Sequence, residues 1–211
     1  MKRKGGFLMA LGLLMVLAAA VLTWLNLNQS HQAAAVSKEV VQALSRLPEQ
    51  NASPENAPMP EAGSVPGPAL PDYLRFPEIQ MPTVHIDGQD YVATVAIPTL
   101  GLELPVISDW SYPALKIAPC CYKGSAYTGD LIIMAHNYDS HFGRIRKLHP
   151  GDLVTVTDMD GNLFSYQVAE LEELPGNAVE DMESGIWDLT LFTCTYGGRS
   201  RITVRCDEIT E

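Results

Sequence analysis

One cysteine, Cys194, closes the apolar run Leu189-Thr-Leu-Phe-Thr193, and two arginines, Arg199 and Arg201, stand just beyond the glycine pair Gly197-Gly198. A thiol becomes a useful nucleophile when a base or cation raises its thiolate fraction, and an arginine on the next strand can supply that field or hold an oxyanion. The missing base is a histidine, and His136 lies at the end of another apolar run, Leu131-Ile-Ile-Met134. Each residue alone has a plainer reading. A buried cysteine is a small inert hydrophobe, a lone histidine is usually structural, and an edge-strand arginine is usually solvated. Cys194 is followed by Thr195 and Tyr196 rather than by more core residues, and His136 holds the same place on its own strand. Two strand ends therefore bring imidazole and thiol to one rim.

The elements that must position them read as strands. Tyr91–Ile97, Leu102–Ile107, Leu131–Met134, Leu153–Thr157, Leu163–Val168, Leu189–Thr193 and Arg201–Arg205 are short β-rich runs punctuated by turn residues. Asp158-Met-Asp-Gly-Asn162 makes a hairpin between two of them. The fold class expected is all-β, a closed barrel of about eight strands with short helical connections. In the last strand Ile202, Val204 and Cys206 share one face, which reads as core, and Arg201, Thr203 and Arg205 share the other, polar face.

Ahead of the strands, residues 7–25 form an uncharged apolar stretch long enough to cross a hydrocarbon core as a helix, preceded by Lys2, Arg3 and Lys4 within a short basic tail, residues 1–6. That flank keeps the N-terminus cytoplasmic and sends the rest of the chain outside, with Trp24 at the outer interface. A cleaved signal peptide is the rival reading, but Ala33–Ala35 lie well beyond the apolar run, which exceeds the usual h-region. Residues 26–82 read as a stalk helix, with Val36, Val40, Val41, Leu44 and Leu47 at helical spacing, and then a Pro-rich linker over 48–82; residues 83–211 hold the β domain. The net charge of −11 argues against a nucleic-acid partner, whose phosphates call for a basic face.

These residues resemble the sortases, cysteine transpeptidases of Gram-positive cell envelopes. Thr190-Leu-Phe-Thr-Cys194 is similar to the family's Thr-Leu-x-Thr-Cys, His136 follows an apolar strand as the family histidine does, and Arg201-Ile-Thr-Val resembles its arginine-led last strand. Val95-Ala-Ile-Pro98 and Leu104-Pro-Val106 resemble its opening strands, the order His, Cys, Arg is the same, and the likeness runs from about Val84 to Arg205. Ala135 departs from the glycine that many members carry before the histidine. Arg201 is preferred to Arg199 because it directly precedes Ile-Thr-Val. The subclass is mixed. His136-Asn137 and Cys194-Thr-Tyr196 resemble class B, whereas the modest segment from Glu170 to Trp187 fits class A or D proportions.

The resemblance implies a single-pass membrane enzyme with its catalytic domain outside the cell. His136 as imidazolium would help hold the Cys194 thiolate, which would attack a C-terminal sorting signal of the Leu-Pro-x-Thr-Gly type in a secreted or pilus protein. Arg201 would stabilise the oxyanion, Thr193, Thr195 and Tyr196 would contact substrate, and an amine of a cell-wall precursor or a pilin would resolve the thioacyl enzyme. Neither cofactor nor metal is expected. His136, Asp139, His141 and His149 lack a zinc spacing, and the acidic run Glu170, Glu172, Glu173, Glu180, Asp181 and Glu183, near where some class A members bind calcium, reads as a solvated loop. Cys120 and Cys121, adjacent and hard to bond to each other, read as packing or disulfide residues, and with Cys206 they allow at most one pair. Two alternatives explain part of the pattern: a cysteine hydrolase that uses water instead of an amine, and a non-catalytic anchored β-barrel module.

Overall fold

The computed structural model describes residues 2–51, 71–76 and 78–209. Residues 52–70 and 77, most of the expected Pro-rich linker, lie outside them. The chain runs in the order α1 (Lys2–Asn51), α2 (Asp72–Arg75), β1 (Val84–Ile86), β2 (Gln89–Ile97), β3 (Leu102–Ile107), α3 (Tyr112–Leu115), β4 (Cys120–Lys123), β5 (Leu131–Ala135), β6 (Leu153–Asp158), β7 (Leu163–Pro175), α4 (Val179–Met182), β8 (Leu189–Cys194) and β9 (Ser200–Glu208).

The strands form one sheet ordered β1-β2-β3-β4-β5-β8-β9-β7-β6, and an additional pairing of β2 with β6 closes it. Closure leaves β1 outside the ring as the first arm of a hairpin turned at Asp87-Gly88, both with positive φ. The ring therefore contains eight strands, as the sequence leads one to expect. Most neighbours are antiparallel, but β3–β4 and β5–β8 are parallel.

Alternation sorts the side chains. Val95 and Ile97 of β2, Leu131 and Ile133 of β5, Val154 and Val156 of β6, Leu189 and Leu191 of β8, and Val204 and Cys206 of β9 fill the barrel interior and are buried. The opposite face of β5, β8 and β9 is covered as well. There Ile132, Phe192, Met182 and Leu174 form a separate apolar cluster beneath the segment that carries α4. Thr203 and Arg205, which alternation puts on a polar face, are buried by this cover.

The short β1, the whole of β4 and the second half of β7 escape the sequence reading. β4 contains Cys120 and Cys121, and β7 continues through Glu170–Glu173 to Pro175, paired with β9, where an acidic loop was expected. Helix α1 is one continuous element of 50 residues, about 75 Å at the α-helical rise, in place of a separate span and stalk. Its residues Leu11–Leu25 are exposed apolar side chains in the main, and a window within Leu11–Leu44 has the length and composition of a membrane span. Lower down, Ala33, Ser37, Val40 and Leu44 make a buried stripe at three- and four-residue spacing, and Val40 and Leu44 pack on Tyr91, Ile107, Leu115 and Cys120 of the barrel.

Candidate active site

Register brings the three candidate residues together. In the parallel pair β5–β8, Ala135 stands opposite Thr193, so His136 and Cys194 are the next residues out of adjacent strands at the same end. The Thr193 hydroxyl donates to the Ala135 carbonyl at 2.8 Å, tying those two ends across the sheet. In the antiparallel pair β8–β9, Cys194 stands directly opposite Arg201. Cross-strand partners have Cβ atoms about 4.5–5.5 Å apart, so thiol and guanidinium stems leave the sheet side by side.

The face they occupy is not the barrel interior. Leu189 and Leu191 point inward, so Cys194 shares the outer face with Thr190 and Phe192, and His136, Cys194 and Arg201 all line one cavity of about 270 Å³ there. Its walls are Trp110, Tyr112, Tyr122, Met134, Phe192 and the α4 segment from Gly176 to Met182, mostly apolar and aromatic. Arg199 lies in the exposed turn and does not line it. The Arg201 guanidinium donates through Nη1 to the carbonyls of Gly198 at 3.0 Å and Ser200 at 3.1 Å, which aims the group and leaves its other N–H donors for a ligand.

Arg205 fixes the α4 wall. It is 1% exposed, pairs with Glu172 at 2.7 Å, and donates to the carbonyls of Asp181 and Met182 and to the Thr190 hydroxyl. Glu183 is held by Lys123 and by the Tyr122 hydroxyl, and Glu173 accepts from Ser200. Three of the acidic residues in the 170–183 stretch thus have protein donors.

The loop after β5 is tightly made. The Phe142 amide donates to the His136 carbonyl, Phe142 is buried in the core, and Gly143 approaches the carbonyls of Asn137 and Tyr138 so closely that a Cβ would meet them at 2.5 and 2.8 Å. The Tyr138 ring packs in tilted contact between His136, 4.9 Å away, and the buried His141, 5.5 Å away. Its hydroxyl donates to Gln29 of α1, and the Ser140 hydroxyl donates to the Ser30 carbonyl. Helix α1 therefore touches the loop that carries the candidate base, a contact that no local sequence signal announces. Burial, with Lys116 adding to it, lowers the His136 pKa below the ordinary histidine value. That environment favours neutral imidazole over the imidazolium implied by the sequence resemblance.

Thr193, Thr195 and Tyr196 line a different cavity, of about 300 Å³, that also reaches Cys194. The four cysteines are free thiols. Burial pushes Cys120 and Cys206 up to about 12, and burial with the Asp109 carboxylate pushes Cys121 up to about 11, so these three resist ionisation. Cys121 borders a further cavity, about 470 Å³, that neither His136 nor Cys194 lines. Among the described residues no group of three or more His, Cys, Asp or Glu side chains is arranged to hold a metal ion.

Comparison with known proteins agrees with this architecture. A family model described as Sortase domain matches residues 95–209. Sortase C1 from Streptococcus agalactiae superposes with a TM-score of 0.53 at 26% identity, covering 66% of this chain and 76% of that one. The Clostridium perfringens Sortase D5 transpeptidase gives 0.52 at 20% identity, covering 66% and 88%. A lid mutant of sortase A from Corynebacterium diphtheriae gives 0.50 at 19% identity, covering 57% and 70%. A comparison with curated protein sequences gave no match.

Proposed function

The chain belongs to the sortase family, whose members are cysteine transpeptidases, and from that premise we propose that it is a membrane-anchored transpeptidase acting through Cys194, His136 and Arg201. Residues 7–25 serve as a single-pass anchor with 1–6 in the cytoplasm, and 26–82 join it to an extracytoplasmic catalytic domain at 83–211. Its first substrate is a secreted or pilus protein with a C-terminal sorting signal of the Leu-Pro-x-Thr-Gly type. The second is an amine of a cell-wall precursor or a pilin.

In this reading the signal lies in the outer-face cavity against Trp110, Tyr122, Phe192 and the α4 wall. Neutral His136 takes the Cys194 proton as sulfur attacks the scissile carbonyl, and the guanidinium of Arg201 stabilises the oxyanion, a contribution of about 3–4 kcal/mol in comparable sites. The imidazolium so formed protonates the departing amine as the C–N bond breaks, leaving a thioester. The incoming amine reverses these steps. Above all, the reading is supported by the register that sets Cys194 opposite Arg201 and one residue beyond the Ala135–Thr193 pair.

The test is a panel of sorting-signal peptides offered to wild type and Cys194→Ala, with and without an oligoglycine amine. Cleavage lost in the variant and an amide product formed by wild type support transpeptidation. Wild-type-like turnover by Cys194→Ala refutes the assignment, and exclusive hydrolysis with amine present favours a hydrolase.

A further inference from the structure

Cys194 stands where two cavities of different chemistry meet. The cavity on the outer face is aromatic and apolar and contains His136 and Arg201. The other lies at the barrel end beside Phe142, Thr193 and Ile202, and three cations, Arg144, Arg146 and Lys147, border it against a single carboxylate, Asp139. In a chain of net charge −11 this is a local excess of positive charge. Arg144 donates through Nε to the Asp139 carbonyl, and among the described residues none of the three cations is in an ion pair. They are held in place by the buried Ile145 between them, on the short turn Ile145–Lys147. Tyr196, 86% exposed, stands at the same mouth.

Building on the transpeptidase reading above, we propose that this barrel-end cavity is the acceptor site and that it selects an amine flanked by peptide carboxylates. Once the thioester has formed, the acyl chain occupies the apolar cavity, so the second substrate reaches the acyl carbon from the other side of Cys194. Unpaired cations at that approach attract anionic partners and orient them, a long-range effect that depends on salt. The acceptor nitrogen then forms a bond to the acyl carbon with its lone pair. The C–S bond breaks and returns its electrons to Cys194 as thiolate, and the surplus proton on nitrogen passes to neutral His136. Carboxylates of this kind surround a wall-peptide amine or a lysine amine in an acidic protein segment, and the chemistry of recognition is shared.

The experiment forms the thioacyl enzyme from one sorting-signal peptide and offers acceptors of equal length with acidic, neutral or basic flanks. One set carries an N-terminal amine and another a lysine side-chain amine, which separates the two sources. Acidic acceptors should be used about tenfold better than neutral ones at low salt, the combined effect of three solvent-accessible charge contacts, two of them exposed. The preference should shrink as salt rises and disappear in R144Q/R146Q/K147Q, while K147E with R146E should favour basic flanks. The exposed pair Arg146→Gln and Lys147→Gln, and the salt series on wild type, keep the test sharp if the triple variant folds poorly. Equal use of acidic and neutral acceptors, or an unchanged ranking in the variants, overturns the proposal and leaves the transpeptidase reading standing. Failure to form any thioacyl enzyme overturns both.

Discussion

Cys194 and Arg201 are direct cross-strand partners at the open end of the β8–β9 ladder. Their spacing is therefore set by backbone hydrogen bonds rather than by loop conformation. Arg199, two residues earlier, sits before β9 and has no partner in the β8–β9 ladder; its carbonyl accepts from the Gly176 amide instead.

That difference predicts unequal consequences. Arg201→Ala should lower kcat/KM for a sorting-signal peptide by about 10²–10³-fold, and Arg201→Lys should recover only part because the ammonium lacks the planar fork. Arg199→Ala should stay within about threefold of wild type. Steady-state kinetics on the three variants checks this, and the opposite ranking would move the oxyanion role to Arg199.

Thr193 joins the two strand ends that carry His136 and Cys194. Removing its hydroxyl in Thr193→Val, nearly isosteric, deletes the 2.8 Å bond to the Ala135 carbonyl and should cost about 1–2 kcal/mol of stability. Because imidazole and thiol are then less firmly aligned, kcat should fall more than KM rises. Urea unfolding and peptide kinetics on one preparation measure both effects.

Much of this was legible in the sequence, for physical reasons that differ by residue. Leu131–Met134 is a continuous apolar run, and Leu189–Thr193 carries no charge, because both of their faces are covered, one by the core and one by the α4 segment. The Ile202, Val204, Cys206 alternation correctly marks the core face. Thr203 and Arg205 take the polar face that alternation assigns them and are nonetheless buried, because alternation reports which face a side chain takes, not what later packs over it. The acidic run at 170–173 hid a strand, since its charges project from a β7–β9 ladder that only tertiary pairing reveals. The contact of Gln29 and Ser30 with Tyr138 and Ser140 joins residues more than a hundred positions apart, beyond any local pattern.

Arg205 should be a structural keystone for the substrate cavity. It is buried, and its partners Glu172, Asp181, Met182 and Thr190 hold the α4 wall to the sheet. Arg205→Ala leaves those groups without their donor and should cost about 3–5 kcal/mol. Should the variant fold, hydrogen exchange should rise over 176–187 and KM for the signal peptide should rise with it. Unchanged exchange in that segment would contradict the role.

His141 gives the fold an acid sensitivity. It is buried, its ring centroid 5.5 Å from that of Tyr138, and burial, with His136 adding to it, lowers its pKa from 6.5 to about 4. The unfolded chain then binds a proton at a higher pH than the native one. Stability is complete above pH 6.5 and falls as pH drops toward 4, by roughly 3 kcal/mol over that window. His136, also lowered, acts in the same direction. Chemical denaturation from pH 7.5 to 4.5 should show this slope, and His141→Leu should flatten it.

The most direct test of the central claim is to look for the thioester. Incubating the protein with a sorting-signal peptide in the absence of amine, quenching in acid and measuring intact mass should show an added acyl fragment. Peptide mapping should place it on Cys194, and hydroxylamine should release it. An adduct on Cys120, Cys121 or Cys206, or peptide turnover that persists in Cys194→Ala with no adduct, would contradict the account.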